Sequence, residues 1–270
     1  MLPRLKKFQE AVWGYYRENK RSFAWRSTSD PYRILVSEVM LQQTQTERVK
    51  SYYAAFLKRF PNVRALANAS LSDVLILWKG LGYNRRAINL KRAAEAIVSE
   101  HGGRFPKDYR ALLALPGVGP STAGAIMNFS YHIPTAFIET NIRSVYLHFF
   151  FKDKESVDDK ELLAVIEKTQ DTEDPKSWYY ALYDYGVMLK KTVGNQNSRS
   201  KHYKKQSTFK GSNRELRAAM LFYLLEKKKV SVPELCKALE RDEAAVLKNI
   251  EAFEKEGFIR RKGASIHMIR

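Results

Sequence analysis

Residues 115–122 read LPGVGPST, and this short stretch decides the fold of the chain. Gly117 and Gly119 allow a tight turn between two antiparallel helices and leave backbone N–H groups unshielded. A helix that begins near Pro120 points its N-terminus at the same turn, where an anion is favoured. The stretch therefore predicts a helix-hairpin-helix motif that holds a phosphate group, although an ordinary corner between two helices has a similar sequence.

The charge of the chain favours an anionic partner for this motif. The 270 residues include 47 Lys and Arg against 29 Asp and Glu, which gives a formal net charge of +18 and a pI near 9.8. Such an excess is typical of proteins that neutralise phosphate groups, although some basic proteins bind no nucleic acid. We therefore expect the turn to contact DNA through Pro116, Gly117, Val118, Gly119, Ser121 and Thr122.

Other features of the sequence argue against several classes of protein. No apolar run approaches the ~18 residues of a membrane span, and MLPRLKKFQE at the start lacks the apolar centre of a signal peptide. We therefore expect a cytoplasmic protein with no membrane partner, associated with the nucleoid through DNA. The single cysteine, Cys236, excludes an internal disulfide and a metal site built from cysteines alone.

Most of the sequence has the apolar period of helices. Asp30 and Pro31 mark the start of a helix that runs to about Leu41. Other helices are predicted on both sides of the turn and over 46–60, 71–80, 84–101, 139–150, 158–169 and 175–190. The predicted fold class is therefore mainly α.

A change of composition divides the chain. Residues 190–211 hold seven Lys or Arg and no acidic residue, which indicates a linker or a basic surface track. Beyond them, three helical segments and the alternating hairpin FIRRKGASIHMI (258–269) predict a small winged-helix-like domain. We therefore expect a helical domain at 1–190, a basic linker at 191–211 and the winged-helix-like domain at 212–270.

Three long stretches resemble one enzyme family. DPYRILVSEVMLQQTQTERV (30–49), LWKGLGYNRRAINL (77–90) and LPGVGPSTAGAI (115–126) together closely resemble the MutY-like A/G-mismatch adenine DNA glycosylases of the helix-hairpin-helix/endonuclease III superfamily. The resemblance covers roughly residues 8–190. It implies a two-lobed helix-hairpin-helix glycosylase fold with DNA in the cleft between the lobes. It also implies a target base flipped out of the stack and cut from its sugar during base excision repair.

Glu38 is the candidate general acid. A purine is a poor leaving group unless a ring nitrogen is protonated, and a carboxyl group can supply that proton only if its pKa is raised toward neutrality. At helical spacing Glu38 lies beside Ile34, Leu35 and Leu41, and burial against apolar side chains raises a carboxyl pKa. Alone, this pattern also suits an edge residue or a buried ion pair. The resemblance implies that Glu38 protonates adenine at N7.

A second carboxylate is expected near the sugar, because breaking the glycosidic bond builds positive charge there. The family has an aspartate at the position of Glu139 in AFIETNIRSV, so this chain departs from the family by one methylene group. The resemblance implies that Glu139 stabilises the charge or acts as a nucleophile. Its place at the start of a predicted helix also suits an ordinary N-terminal acid.

The resemblance assigns two residues to the pocket of the flipped base and one to the choice of reaction. Arg26, in AWR, and Asp184, in ALYDYGVM, correspond to pocket residues, although Asp184 also suits a helix surface. Ser121 stands where strand-cutting relatives carry a lysine that forms a Schiff base, and no lysine follows before Lys152. Hydrolysis by water without efficient lyase activity is therefore expected.

Two loops correspond to parts of the family that enter the duplex. Gln42, Gln43 and Thr44 end the helix of Glu38, where they can fill the gap left by the extruded base or contact its partner. Tyr83 corresponds to an aromatic side chain that wedges into the base stack beside the lesion. Packing or capping after Gly82 is the alternative for this tyrosine.

Two features of the family are missing. The four-cysteine iron–sulfur loop falls at residues 190–206, which contain no cysteine, although thiolates are obligatory for the cluster. We therefore expect no cofactor beyond a candidate monovalent cation at the turn 115–119. Three lysines of the loop are expected to contact phosphate groups instead: Lys201, Lys204 and Lys205. The usual 8-oxoguanine-recognition domain is replaced by residues 212–270, whose partner is either DNA or a protein.

The predicted function is that of a monomeric, monofunctional DNA glycosylase that acts on duplex DNA with a mismatched or damaged base. Adenine opposite 8-oxoguanine or G is the expected target. A glycosylase for another base (uracil or thymine opposite G, or hypoxanthine) stays open because of Glu139 and the replaced C-terminal domain. The third hypothesis is a non-catalytic DNA-binding scaffold. The carboxylates at positions 38 and 139 argue against it, because a protein without activity need not keep either one.

Overall fold

Helices form most of the structure, which confirms the predicted mainly α class. The computed structural model describes residues 2–206 and 208–269, with side chains from residue 5 onward. Within these residues no helix is both long and apolar enough to cross a membrane. The first eleven helices are α1 (Leu2–Asn19), α2 (Pro31–Leu41), α3 (Thr46–Arg59), α4 (Val63–Ala67), α5 (Leu71–Trp78), α6 (Arg85–His101), α7 (Tyr109–Ala114), α8 (Pro120–Tyr131), α9 (Thr140–Phe150), α10 (Asp159–Thr169) and α11 (Pro175–Thr192).

The chain packs into two compact units, each built from two separated stretches. The first unit contains Met1–Glu38 and Phe105–Lys205, and the second contains Val39–Arg104 and Gln206–Arg270. The chain passes from one unit to the other within α2. The division of the sequence at residues 190 and 211 stays a prediction, because the compact units follow packing and not composition.

Aromatic side chains form much of the core of the first unit. The ring of Phe8 meets those of Tyr146, Phe150 and Trp178 edge-on, at centroid distances of 5.3, 5.0 and 5.5 Å. Such contacts stabilise a core beyond the burial of apolar area. They fix α9 and α11 against α1, a helix that the sequence analysis did not predict. Both α9 and α11 carry residues of the candidate site.

The predicted hairpin is present between α7 and α8. Gly117 adopts a φ of +76°, which glycine tolerates without strain, and the N–H of Val118 donates to the carbonyl of Leu115 at 3.1 Å. α8 then begins at Pro120 with Gly119 as its N-cap, and no side chain caps it.

The C-terminal segment, residues 208–269, contains the three predicted helices and the predicted hairpin, and it has one additional strand. The helices are α12 (Asn213–Lys227), α13 (Val232–Leu239) and α14 (Glu243–Glu256), and the strands are β1 (Lys229–Ser231), β2 (Ile259–Lys262) and β3 (Ser265–Met268). The antiparallel sheet has the order β1-β3-β2. The predicted two-stranded wing is therefore corrected to three strands, because a three-residue strand is too short to show alternation.

Ion pairs join the C-terminal helices to α6 inside the second unit. The carboxylate of Glu256 accepts a hydrogen bond from Arg217 at 2.7 Å and lies 4.0 Å from the guanidinium of Arg85. The guanidinium of Arg92 donates to the backbone carbonyl of Glu256 at 3.2 Å. The side chain of Glu256 is only 17% exposed, so this carboxylate is well placed to hold the C-terminal segment against α6.

Part of the basic segment that follows α11 packs against α9. The single 3-10 turn among the described residues lies at Gln196–Arg199. The buried amide of Asn197 donates to the carbonyl of Thr140 at 3.2 Å and to the hydroxyl of Ser144 at 2.6 Å. The guanidinium of Arg199 donates to the carbonyls of Leu147 and Phe151. This turn therefore stabilises both ends of α9 and is a packed loop.

We expect Gly124→Ala to lower the free energy of unfolding by about 1–3 kcal/mol. A Cβ at Gly124 would lie 2.7 Å from the Cβ of Phe137, which cannot swing away as a flexible side-chain end can. Denaturant unfolding measures the change. Gly14→Ala is the matched control, since a Cβ there meets its nearest atom at 3.9 Å within a helix, and alanine favours a helix over glycine. Equal stability of the two variants would contradict this account of the packing.

Candidate active site and DNA-contacting loops

Glu38 lies on α2 beside buried apolar side chains of the same helix. The carboxylate of Asp30 accepts the N–H of Tyr32 at 2.8 Å and so starts the helix. Ile34 and Leu35 are each 1% exposed, so the neighbouring side chains of Glu38 exclude water. Loss of hydration is the main cause that raises the pKa of Glu38 to about 8, and the second cause is the negative charge of Glu139. Glu38 is therefore mostly protonated at neutral pH.

Glu139 serves as the N-cap of α9 and also interacts with Glu38. Its carboxylate accepts the backbone N–H of Asn141 at 2.7 Å and the side-chain amide of Asn141 at 3.2 Å. Burial raises the pKa of Glu139, while hydrogen bonds from the first turn of α9, led by those of Asn141, lower it. The two readings of this residue from sequence are therefore compatible, because the capping contact is what fixes the carboxylate beside Glu38.

Close packing on α11 fixes the residue that holds Glu139. A Cβ at Gly186 would lie 2.6 Å from both the Cβ and the carbonyl oxygen of Asn141. Only glycine allows this approach between α11 and the first turn of α9. Because both the backbone N–H and the side-chain amide of Asn141 donate to Glu139, Gly186 helps to position the second carboxylate.

Arg26 and Asp184 form a buried ion pair in the same unit. Two nitrogens of Arg26 donate to the two oxygens of Asp184, each at 2.8 Å, and Arg21 donates to both oxygens as well. Asp184 is 2% exposed, so the helix-surface reading of this residue is wrong. Since both oxygens are occupied, Asp184 acts mainly by orienting Arg26. The guanidinium of Arg26 also lies 4.6 Å from the ring centroid of Tyr180 and lowers the pKa of Glu38.

Tyr183 is a residue of this site that the sequence analysis did not predict. Its hydroxyl is buried, and among the described residues it has no partner at standard hydrogen-bond geometry. Its pKa is raised well above the ordinary value by burial first and then by the charges of Glu38 and Glu139. The Tyr183 hydroxyl in turn lowers the pKa of Glu38. The sequence feature that could have pointed to Tyr183 is its position directly before Asp184 and one helical turn after Tyr180.

In the second unit, Arg86 fixes the two predicted DNA-entering loops. One nitrogen of its guanidinium donates to the carbonyls of Val39, Met40 and Gln42 at 2.8, 3.0 and 2.5 Å. The other donates to the hydroxyl of Thr44 and the carbonyls of Leu81 and Gly82 at 3.0–3.1 Å. Burial lowers the pKa of Arg86 to about 10, so it stays charged at neutral pH.

These loops carry the predicted DNA-contacting side chains in unusual backbone conformations. Gln43 has a φ of +55° and Tyr83 a φ of +48°, a region that non-glycine residues rarely occupy. Gln42 and Gln43 are exposed, and Tyr83 is 41% exposed. Strained and exposed loops held by a buried group are frequent at functional sites. Packing in the core is therefore not the role of Tyr83.

The remaining predicted contacts lie in the first unit. Gly117 is exposed, while Pro116, Gly119 and Ser121 are partly exposed. Val118 and Thr122 are buried, so any contact with DNA from these two comes through the backbone. The three lysines of the basic loop are exposed, and Lys201 lies 3.6 Å from Asp158, which offsets part of its charge. Lys204 and Lys205 are thus better placed than Lys201 to attract phosphate groups.

Tyr183→Phe is expected to raise the pKa of Glu38 further, because the lost hydroxyl stabilises the ionised carboxylate. Carboxyl ¹³C chemical shifts measured against pH report this pKa directly. Tyr185→Phe is the control, since it removes a hydroxyl from the same helix, and the ring of Tyr185 packs against Tyr15 and Phe149. An unchanged or lower pKa of Glu38 in Tyr183→Phe would refute the assigned interaction.

Comparison with known proteins shows which family this chain resembles. Residues 36–169 match the HhH-GPD superfamily of base excision DNA repair proteins. The adenine DNA glycosylase of Buchnera aphidicola subsp. Baizongia pistaciae is 33% identical over 67% of this chain and 52% of its own length. The adenine DNA glycosylases of Mycobacterium tuberculosis and Homo sapiens are 41% and 37% identical over 48% and 51% of this chain, and over 43% and 27% of their own lengths.

Solved structures have the same fold. A thermostable thymine-DNA glycosylase is 26% identical, with a TM-score of 0.62 over 69% of this chain and 87% of that chain. A non-covalent complex of endonuclease III with DNA is 16% identical, with a TM-score of 0.56 over 76% and 90%. The chain spans about half the length of the Buchnera relatives that it matches. It belongs to the HhH-GPD superfamily of base excision DNA repair proteins.

Proposed function

We propose that this chain is a monofunctional DNA glycosylase that removes adenine mispaired with 8-oxoguanine or guanine. The proposal is carried by Glu38, a buried carboxyl group with a pKa raised to about 8 beside Glu139, in a chain similar to adenine DNA glycosylases. Acid-assisted cleavage of a glycosidic bond requires two neighbouring carboxyl groups, one neutral and one ionised. The identity of the base opposite adenine, 8-oxoguanine or guanine, is part of the proposal.

In the proposed reaction Glu38 donates its proton to N7 of the flipped adenine. The C1′–N9 bond then breaks, the electron pair leaves with the neutral base, and positive charge develops on the sugar. The protonated fraction of Glu38 falls as pH rises through about 8, so donation weakens over that range. Water adds to C1′ and its proton passes to a carboxylate.

Glu139 stabilises the developing charge on the sugar in this scheme. Its hydrogen bonds from Asn141 favour the ionised form against the effect of burial. A fixed carboxylate lowers the barrier more than solvent does, because no reorganisation is needed when the charge appears. The extra methylene of Glu139 is accommodated by the capping contact, which holds the carboxylate at the start of α9.

DNA is bound in the proposal through backbone groups and loops. The exposed N-terminus of α8 and the turn 115–119 hold one phosphate group, with a monovalent cation as a candidate ligand of the turn carbonyls. Lys204 and Lys205 add attraction to the backbone. Gln42, Gln43 and Tyr83 enter the duplex. Residues 190–206 offer no thiol for an iron–sulfur cluster, and no step of the reaction calls for one. We propose that the enzyme acts as a monomer in the cytoplasm.

A glycosylase for a different base is the second candidate function. It is favoured by Glu139, where adenine glycosylases have aspartate, and by the similarity to a thymine-DNA glycosylase structure. Uracil and thymine are pyrimidines, which leave from N1 with less need of ring protonation, whereas hypoxanthine is a purine that leaves from N9 as adenine does. The raised pKa of Glu38 therefore favours a purine, and the similarity to adenine DNA glycosylases favours adenine.

We expect single-turnover base release from A opposite 8-oxoguanine and from A opposite G, and no release from A·C, U·G, T·G or hypoxanthine·T duplexes. Glu38→Gln should slow release at least ~100-fold while DNA binding is retained, because only the proton donor is lost. Glu100→Gln, an exposed glutamate at the end of α6, is the matched control. Release of another base would replace the adenine assignment, and full activity in Glu38→Gln would remove Glu38 from the mechanism.

Treatment with borohydride during turnover should give little covalent protein–DNA adduct. A Schiff base needs an amine at the sugar, and Ser121 has none to offer. Gel analysis of the trapped species measures the yield, with Ser121→Lys as the positive comparison. Abundant adduct from the unmodified chain would show that another lysine acts as a nucleophile.

A further inference from the structure

An exposed cluster of two aromatic rings and one guanidinium lies on the second unit. Tyr83 and Phe209 are 41% and 54% exposed. The guanidinium carbon of Arg214 lies 5.8 Å from the ring centroid of Tyr83 and 5.9 Å from that of Phe209. Arg214 and Phe209 come from the C-terminal segment, whereas Tyr83 precedes α6. Two distant parts of the sequence therefore form one surface.

The cluster is held in place although it is exposed. One nitrogen of Arg214 donates to the hydroxyl of Tyr83 at 3.1 Å, and the other donates to the carbonyl of Thr208 at 3.3 Å. Arg86 lies 5.7 Å from the same tyrosine ring and fixes the backbone before it. The position of Tyr83 is thus set from the C-terminal segment as well as from α6.

This composition suits nucleobases. Flat aromatic rings stack on bases of any identity, and arginine adds planar stacking and cation–π attraction. The setting is also basic, since a groove of about 380 Å³ on the same unit is lined by Arg85, Arg92 and Lys255. The acidic group in that groove, Glu256, is engaged by Arg217. The basic residues of this groove therefore favour a phosphate backbone on the same unit as the aromatic rings.

We propose that Phe209 and Arg214 of the C-terminal segment form, together with Tyr83, one base-contacting surface that binds duplex DNA at the gap left by an extruded base. The proposal rests on the proposed DNA-entering role of Tyr83. It gives the C-terminal segment a direct part in recognising the lesion: Phe209 stacks on a base, and Arg214 both stacks and positions Tyr83. A contact limited to the phosphate backbone would not distinguish a gap from an intact duplex.

Binding to an abasic-site duplex tests this without any catalytic step. The full chain is titrated with a duplex that carries a tetrahydrofuran abasic site and with the same duplex undamaged. Phe209→Ala and Arg214→Ala should each weaken binding to the abasic-site duplex about tenfold and change binding to the undamaged duplex much less. Arg214→Lys keeps the charge and a donor for Tyr83 but loses planar stacking, so it should recover only part of the affinity.

Arg241→Ala is the matched control, since it removes one exposed positive charge from the same segment. Arg241→Ala should change the affinity for the two duplexes equally. The melting temperature of this variant should match those of the test variants. Equal losses on both duplexes for Arg214→Ala and Phe209→Ala, no loss at all, or a parent chain without preference for the abasic site would each overturn the proposal. Base release is measured separately, so absence of glycosylase activity with an intact binding preference would refute the proposed function and not this surface.

Discussion

The chemistry proposed for this chain depends on two neighbouring carboxyl groups, Glu38 and Glu139, that are both shielded from water. Burial and the charge of Glu139 act in the same direction on Glu38 and keep it protonated. The guanidinium of Arg26 opposes them, and its bidentate pairing with Asp184 places a compensating negative charge beside it. Arg26 nevertheless lowers the pKa of Glu38, so the ion pair that it forms with Asp184 of α11 affects an acid on α2.

Much of the site follows from residues that are neighbours in sequence. The turn at 115–119 and the apolar setting of Glu38 depend on local spacing, which sequence patterns report directly. Tyr183 and Arg21 could not be predicted in this way, because their roles arise from contacts with residues far away along the chain. The same holds for Asp184, whose burial depends on Arg21 and Arg26. The strand Lys229–Ser231 escaped prediction because three residues show no period.

The C-terminal segment is more than an appended module in this packing. Glu256 lies 4.0 Å from Arg85 at the start of α6, and Arg214 donates a hydrogen bond to the hydroxyl of Tyr83, two residues before that helix. The ring of Phe222 lies 5.1 Å from the ammonium group of Lys79. Each of these contacts involves a charged side chain. Pairs of this kind weaken as salt rises, so the attachment of the segment and the electrostatic attraction of DNA respond to the same variable.

The hydrogen bonds of Arg86 constrain the lengths of the two loops that it contacts. A single planar group serves six oxygen atoms that lie before and after the turn at residue 43 and around Gly82. An insertion in either loop would move some of these oxygens out of reach and leave a buried guanidinium short of acceptors, which is costly. A lysine side chain has a single nitrogen, so it cannot form all the hydrogen bonds that the planar guanidinium of Arg86 forms. A change in the length of either loop is therefore expected to lower the free energy of unfolding, whereas substitution of the exposed side chains of Gln42, Gln43 and Tyr83 leaves these hydrogen bonds in place.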